Sequence, residues 1–358
     1  MNILILEDSS KAGFGGGQRV TLDVINSLKD KNNIYLFDCT EDSFFIKKVK
    51  DLGISNIKLK CCKKVYNSIF LSVILIISNI FLLHEFSVKN KIKDKVIVYA
   101  TTKKGLILAF FLNKLLNIGY IYHAHMIETN FVKNIVNYLV KDSYKVICVS
   151  KIVKNQFVAS NADVINNAIR NINSQAKFIS SKKDFVIATI SSLNHIKGVD
   201  YFIESYKFLQ NKNIKYRIYG EGPLRKKLEL NTNKNIEIKG HNENVIDLLL
   251  NDIDILVAPS IIQESFGIII LEAFSCGIPV VTTDIGMQKI LIQDSDAGKI
   301  VPIKNPREIA MAINSILENK DTYELYSKNG LNYASKFDIQ NFNKKINKIF
   351  QDYNSIKK

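Results

Sequence analysis

The stretch that most limits how this chain can fold runs from Ile253 to Pro279. Ile253, Ile255, Leu256 and Val257 make a short apolar run that stops at Pro259. Such a run reads as a strand buried on both faces, the kind found in parallel sheets covered by helices. Phe266 to Ser275 then reads as a helix, closed by Gly277 and Pro279. Glu264 falls in the loop before that helix and Glu272 inside it, with seven residues between them. At a rise of ~1.5 Å per residue, the two lie about 12 Å apart along the axis. Paired carboxylates of a glycosidase need ~5–9.5 Å. The wider spacing suits two ends of one extended ligand. Amides at the helix start, around Phe266, Gly267 and Ile268, attract a phosphate lying between them. A sugar, a diphosphate and a nucleoside together make a ligand of that kind.

The chain before this stretch repeats the same grammar. Ile3 to Leu6 reads as a first strand, and Gly13, Gly15, Gly16 and Gly17 form a glycine loop ahead of a helix marked by Val20, Val24, Ile25 and Leu28. Strand, glycine loop and helix make a phosphate cradle, because glycines let backbone amides approach an anion. A second strand, Ile34 to Phe37, ends at Asp38, 21 residues after Gly17. That spacing imitates the ribose-binding acid of a dinucleotide site, yet the glycines do not fit G-x-G-x-x-G. Val96 to Ala100 is a further strand, and Leu106 to Leu116 an apolar helix. Gly119 begins a strand that runs into His123 and His125. Ligand sites in such sheets gather at the carboxyl ends of strands, so one of these histidines is expected at a site. As a pair at i, i+2 they point to one side and suit a metal, but no third ligand is evident. Lys145 to Ser150 reads as the last strand of this half.

Ile169 to Lys183 is polar and marks a boundary. We place an N-terminal domain at 1–168, a second at 169–340, and a C-terminal helix at 341–358 crossing back to the first. In the second half, Phe185 to Ile190 is a strand, followed by Ser191 to Gly198 and a helix from Val199 to Leu209. Lys197 in that loop is a point charge suited to a phosphate. Tyr216 to Gly220 and Ile236 to Lys239 are strands, the latter ending in Gly240-His241. Asp252-Ile-Asp254 looks like a D-x-D metal motif, but it stands at the entry to a buried strand, where a structural role fits better. Two helices finish the chain, Arg307 to Glu318 and a basic amphipathic one near Asn341 to Tyr353.

Composition narrows the partners. The chain has 358 residues, enough for two domains with their own cores, and its 49 basic and 34 acidic residues give a net charge of +15. The excess is mostly lysine, and no zinc spacing, aromatic-basic RNA motif or arginine cluster is present, which speaks against nucleic acid. Five cysteines in no metal or disulfide spacing point to a reducing compartment. MNILILED lacks the basic start of a signal peptide, so a cytoplasmic location is expected. Ile69 to Leu83 is apolar, about 15 residues, short of the ~20 of a spanning helix, and is flanked by lysines on both sides. It reads either as a helix buried beside the sheet or as one that docks on acidic lipid at the inner face of the membrane.

The segment PS…ESFG…LEAFSCGIPVV, with Glu264-x7-Glu272 at its centre, resembles the signature of the retaining glycosyltransferases of family 4. The resemblance spans nearly the whole chain and is densest from Ile187 to Pro302. It implies an α/β fold of the GT-B type, two Rossmann-like parallel-sheet domains facing a central cleft. It implies transfer of a sugar from a nucleotide-sugar donor, with retention, to a glycan or lipid-linked acceptor in cell-surface polysaccharide or glycolipid synthesis, with no metal or other cofactor. In such enzymes the first Glu, here Glu264, lies at the donor sugar, and the second, here Glu272, holds the ribose hydroxyls. Lys197 matches a lysine that holds the diphosphate, Gly16 and Gly17 match a loop facing the cleft, His125 a histidine at the donor sugar, and His241 a loop that borders the base. Four positions depart, Ala168 and Ile285 standing where glycine is usual. Ser192 stands where the family has an arginine on the diphosphate, and Lys289 where it has a glutamate. Two rivals stand beside this reading: a GT-B sugar-nucleotide epimerase, a class that shares the cleft but lacks this E-x7-E context, and a non-catalytic sugar-nucleotide or glycan binder, which the missing arginine at Ser192 suggests.

Overall fold

The structure, a computed structural model, describes residues 1–7, 15–38, 44–58, 78–86, 96–169, 175–177, 184–210 and 213–356. It divides into two compact units, Met1–Asn166 with Gln340–Lys358, and Asn167–Ile339.

The first unit is built on a parallel sheet of seven strands: β1 (Asn2–Leu6), β2 (Asn33–Asp38), β3 (Ser55–Lys58), β4 (Val96–Ala100), β5 (Gly119–Ala124), β6 (Lys145–Cys148) and β7 (Ala162–Val164). Their order is β3-β2-β1-β4-β5-β6-β7. Ile3, Leu4, Ile5 and Leu6 of β1 are all buried, as a central strand covered on both faces requires. The chain leaves β1 toward β2 and returns on the other side at β4, so the β1/β4 boundary is the sheet's switch point. Lys145–Cys148 is not the last strand of this half, since β7 adds an edge beside it. Three residues, Ala-Asp-Val, are too few to show a strand period in the sequence.

The helix Ile339–Ile356 belongs to this unit from Gln340 onward. Its buried stripe is Phe342, Ile346, Ile349, Phe350 and Tyr353. Asn347 donates to Ser27 O at 3.2 Å, and the Tyr353 hydroxyl to Val96 O at 3.2 Å. Gly119 opens β5 because a Cβ there would run into the Tyr353 ring. Of the apolar stretch 69–83, residues 69–77 lie outside the described residues. Residues 78–86 are helical, with Leu83 buried and Phe81 exposed. Among the described residues no helix is long and apolar enough to cross a membrane.

The second unit holds a six-stranded parallel sheet: β8 (Phe185–Ile190), β9 (Ile214–Tyr219), β10 (Ile236–Gly240), β11 (Ile255–Ala258), β12 (Val280–Thr283) and β13 (Gly298–Val301). The order β10-β9-β8-β11-β12-β13 puts its switch point between β8 and β11. The core on one face packs Phe202 flat on Tyr216, with centroids 4.1 Å apart.

Three sequence expectations need correction here. The helix expected from Phe266 begins at Ile268, because Gly267 has a left-handed φ of 83° and stands outside it as the cap. The helix expected to reach Leu209 is α-helical over Val199–Ser205 and tightens to a 3-10 turn at Tyr206–Phe208. The tail has three helices, not two: Lys320–Ala334 intervenes. Its inward positions are Tyr323, Tyr326, Ser327, Gly330 and Tyr333, which carry no plain apolar rhythm.

Candidate active site

In the second unit the loops after β8 and β11 meet over the switch point. After β8 comes Ser191 to Gly198, with Lys197 in a short 3-10 turn, His195–Lys197. After β11 comes Pro259 to Gly267, carrying Glu264. The loops are pressed together. Gly198, at φ +63°, lies so close that a Cβ would strike Pro259 O, and Ile261 N donates to Ile196 O at 2.9 Å. That approach brings the Lys197 ammonium to Glu264 Oε1 at 2.5 Å. The Ser260 hydroxyl donates to the same oxygen at 2.7 Å. Both partners of the ion pair keep about a quarter of their side-chain surface open, at 25% and 27%. The pair is therefore reachable by a ligand, and solvent screens much of its Coulomb energy.

The backbone of Glu264 is held from the other side by the helix Gly286–Ser295. Gln288, 1% exposed, accepts from Glu264 N at 2.9 Å and donates to Ile262 O at 3.0 Å. Met287 N donates to Glu264 O at 3.2 Å. Gly286 is at φ +65°, and a Cβ there would come within 2.7 Å of Gln263 Cα. Glu264 is thus fixed at its amide, its carbonyl and its carboxylate before any ligand arrives. Sequence reading missed Gln288 altogether.

Glu272 lies in the helix Ile268–Ser275 with 4% of its surface exposed. The helix's first internal hydrogen bonds come from Ile270 and Leu271, both to Gly267 O. The amides of Ile268 and Ile269 therefore stand ahead of the ladder, with no acceptor inside the helix. Phe266 is buried against Phe337, with centroids 5.8 Å apart. His241 follows β10 and is exposed. Ser192 is exposed and accepts from Asn194 Nδ2 at 2.9 Å. Arg225 is bound to Glu221 and Glu229 of its own segment. Asp254 is a structural tie: its Oδ2 accepts from Val186 N at 2.8 Å, and its carbonyl accepts from the Tyr323 hydroxyl at 2.9 Å.

In the first unit the switch point holds a different cluster. Glu7 follows β1 and is 6% exposed. Its Oε2 accepts from the Thr21 hydroxyl at 2.9 Å and from the Thr101 hydroxyl, just after β4, at 2.7 Å. Thr21 lies in the helix Gly16–Leu28, which Gly16 and Gly17 open. Both glycines are exposed, and a Cβ on Gly17 would meet open space. The Gln18 side chain folds back to accept from Gly15 N at 3.0 Å. At the end of β5, His123 is fully buried and His125 is the first residue past the strand. Their rings lie 4.2 Å apart, and His123 Nδ1 shares a hydrogen bond with the Tyr99 hydroxyl. Neither Nε2 has a partner among the described residues. Burial lowers both imidazoles, His125 to about 4 and His123 well below its usual range with His125 adding to the effect. Both are neutral at pH 7. Tyr99 is pushed well up by burial and by Glu7. Among the described residues no three His, Cys, Asp or Glu side chains could together hold a metal ion.

Comparison with solved structures defines the fold. The chain superposes on HepE of Anabaena, solved with UDP and glucose, with a TM-score of 0.82 at 19% identity, covering 98% of this chain and 100% of that one. S. aureus TarM, solved with UDP, gives a TM-score of 0.75 at 16% identity over 98% of this chain and 99% of that one. The fold is GT-B, with two Rossmann-like parallel-sheet domains. Residues 171–333 match the family Glycosyl transferases group 1 and carry a domain of that family. An uncharacterized glycosyltransferase of Methanocaldococcus jannaschii is 24% identical over 347 residues, 93% of this chain and 94% of that protein. N-acetyl-alpha-D-glucosaminyl L-malate synthase of Bacillus anthracis is 27% identical over 150 residues, 40% of this chain and 39% of that protein.

Proposed function

We propose that the protein is a retaining glycosyltransferase of family 4 that moves a sugar from a nucleotide-sugar donor to a glycan or lipid-linked acceptor. The observation that carries this reading is the Lys197–Glu264 pair at the β8/β11 switch point, beside the unladdered amides of Ile268 and Ile269. It is one cation, one fixed carboxylate and one helix start, the groups that a sugar diphosphate needs. The group 1 domain at residues 171–333 supports it, as do structural neighbours solved with UDP and UDP-glucose.

In this reading the leaving diphosphate gathers negative charge as the anomeric bond lengthens. Lys197 and the amides of Ile268 and Ile269 stabilise that charge. Glu264 then exchanges its bond to Lys197 for one to the donor sugar, while Ser260 and Gln288 keep it in place. Glu272 accepts from the ribose hydroxyls, and His241 borders the base. Gly16 and Gly17 let a ligand come close to the first unit, where a neutral His125 is the strand-end histidine of this reading. We assign His125 and not His123 because His125 stands past the strand end, whereas His123 is wholly enclosed. The leaving phosphate takes the acceptor's proton, so neither a separate base nor a metal is required. The reading places the enzyme in the cytoplasm, acting in cell-surface polysaccharide or glycolipid synthesis.

The test is a thermal-shift screen of nucleotide sugars, since a ligand that binds only the folded state raises its stability. The nucleotide that stabilises best is then assayed for transfer, and the product anomer is read by NMR. Glu272→Ala is expected to weaken nucleotide binding at least about tenfold, and Asp254→Ala to leave binding by the folded fraction nearly unchanged. Equal losses in the two variants overturn the site assignment. Turnover of donor to an isomerised sugar nucleotide without acceptor makes the protein an epimerase, and binding without any turnover makes it a binder.

A further inference from the structure

The first unit carries a surface that this chemistry does not use. The helix Lys103–Leu116 joins β4 to β5, and the helix Asn130–Leu139 joins β5 to β6. Two successive crossovers to neighbouring parallel strands put both helices on one side of the sheet. They meet through aromatic rings, with the centroids of Phe110 and Tyr138 5.7 Å apart. Each helix buries an apolar stripe, Leu106, Ala109 and Leu112 on one, Val136 and Leu139 on the other. The outward stripe of a surface helix is ordinarily polar. Here it holds Phe111 and Leu115, 38% and 63% exposed, and Phe131, Ile135 and Tyr138, 77%, 42% and 66% exposed. Positions 131, 135 and 138 share one helix face. Isolated exposed apolar residues are ordinary, but a stripe on each of two touching helices marks an interaction site.

Lysines outnumber acids at this surface. The two helices contain Lys103, Lys104, Lys114 and Lys133 and no acidic residue, and Lys141 follows them. The flanking acids are already bound to these lysines, Glu128 to Lys103 at 3.0 Å and Asp142 to Lys114 at 2.7 Å. The whole chain carries +15.

We propose that this face docks on an anionic lipid surface. Its rings and aliphatic chains enter the interface, and its ammonium groups lie among the lipid phosphates. The composition favours lipid over protein. Rings with an apolar body and lysines around them are what an interfacial helix uses. The core of a protein interface is depleted in lysine. A two-fold contact between copies of this chain would set these lysines against themselves with only Glu128 and Asp142, already ion-paired within each copy, to answer them. The proposal stands on the first unit alone, so it survives or fails separately from the donor chemistry.

The test is flotation of the full chain with vesicles of phosphatidylcholine alone and of phosphatidylcholine with phosphatidylglycerol. Binding is expected to the anionic vesicles, to fall as salt is raised, and to be at least about tenfold weaker in the double variant Leu115→Ser/Phe131→Ser. Both side chains are exposed, so the double variant should melt with the parent. Leu230→Ser, an equally exposed apolar residue of the second unit, should float like the parent. Absence of flotation by the parent overturns the proposal, as does flotation that the double variant leaves unchanged. Light scattering gives one more outcome that overturns it: a dimer that the double variant converts to monomer, with neither form floating.

Discussion

The two sheets have the same plan, and each gathers polar side chains at its switch point, but the two clusters are built differently. At β8/β11 the carboxylate of Glu264 faces a lysine, and the pair is open to solvent by about a quarter. At β1/β4 the carboxylate of Glu7 is buried and accepts from two threonine hydroxyls, Thr21 and Thr101. The first arrangement can trade partners, because an exposed ion pair is worth little and either ion can turn to a ligand. The second cannot do so cheaply, since uncovering buried hydroxyls leaves them unsatisfied. A shared topology therefore supplies the place for a polar cluster, while burial decides whether the carboxylate there stays open to a new partner or ties elements together.

Four measurements can break or sharpen that contrast. Glu264→Gln keeps the size of the side chain and an acceptor for Ser260 but removes the charge. Transfer should fall about 10²-fold with the melting temperature nearly unchanged, the signature of a group that acts on a developing charge. Glu7→Ala should do the reverse, costing about 2 kcal/mol of stability in a denaturant titration. If its melt matches the parent, Glu7 is not a tie.

Gln288→Ala probes the clamp behind Glu264. Its transfer efficiency should drop about tenfold, equivalent to about 1.4 kcal/mol, mostly in kcat, because Glu264 stays in the chain but loses its fixed amide. Gln288→Glu can still accept from Glu264 N but cannot donate to Ile262 O, so it should fall between alanine and parent.

The smallest effect concerns pH. His125 and His123 are held below the ordinary value of ~6.5, so in the window from about 6.5 to about 4 the unfolded chain binds protons that the folded chain refuses. Stability should therefore be fully present above ~6.5 and fall as pH drops through that window. His125→Gln should flatten the melting-temperature profile there while leaving the value at pH 7.5 about the same. A profile as steep as the parent's would place the protonation elsewhere.

Much of the second unit is legible in the sequence. β11 and the helix after it can be read because both faces of the strand are apolar, and because Pro259, Gly277 and Pro279 punctuate them. The spacing of Glu264 and Glu272 also survives as written, since it needs only the chain. Elements whose inward faces are not simply apolar were lost: the helix Lys320–Ala334 packs tyrosines, a serine and a glycine inward, and β7 is only three residues long.

By itself, then, the sequence determined the alternation of strands and helices, and that Glu264 and Lys197 fall in the segments after strands while Glu272 falls in a helix. Apolar period and punctuation are local, and a local pattern can be read along a chain. Only the tertiary structure decided which polar groups meet. Lys197 finds Glu264 across 67 residues, Gln288 grips it across 24, and Glu7 reaches Thr101 across 94. These contacts depend on strand order and on close approaches such as Gly198 against Pro259, where one Cβ would push the loops apart. No residue announces such a partner in advance, because the energy of a buried or half-buried polar group is set by what the fold brings to it.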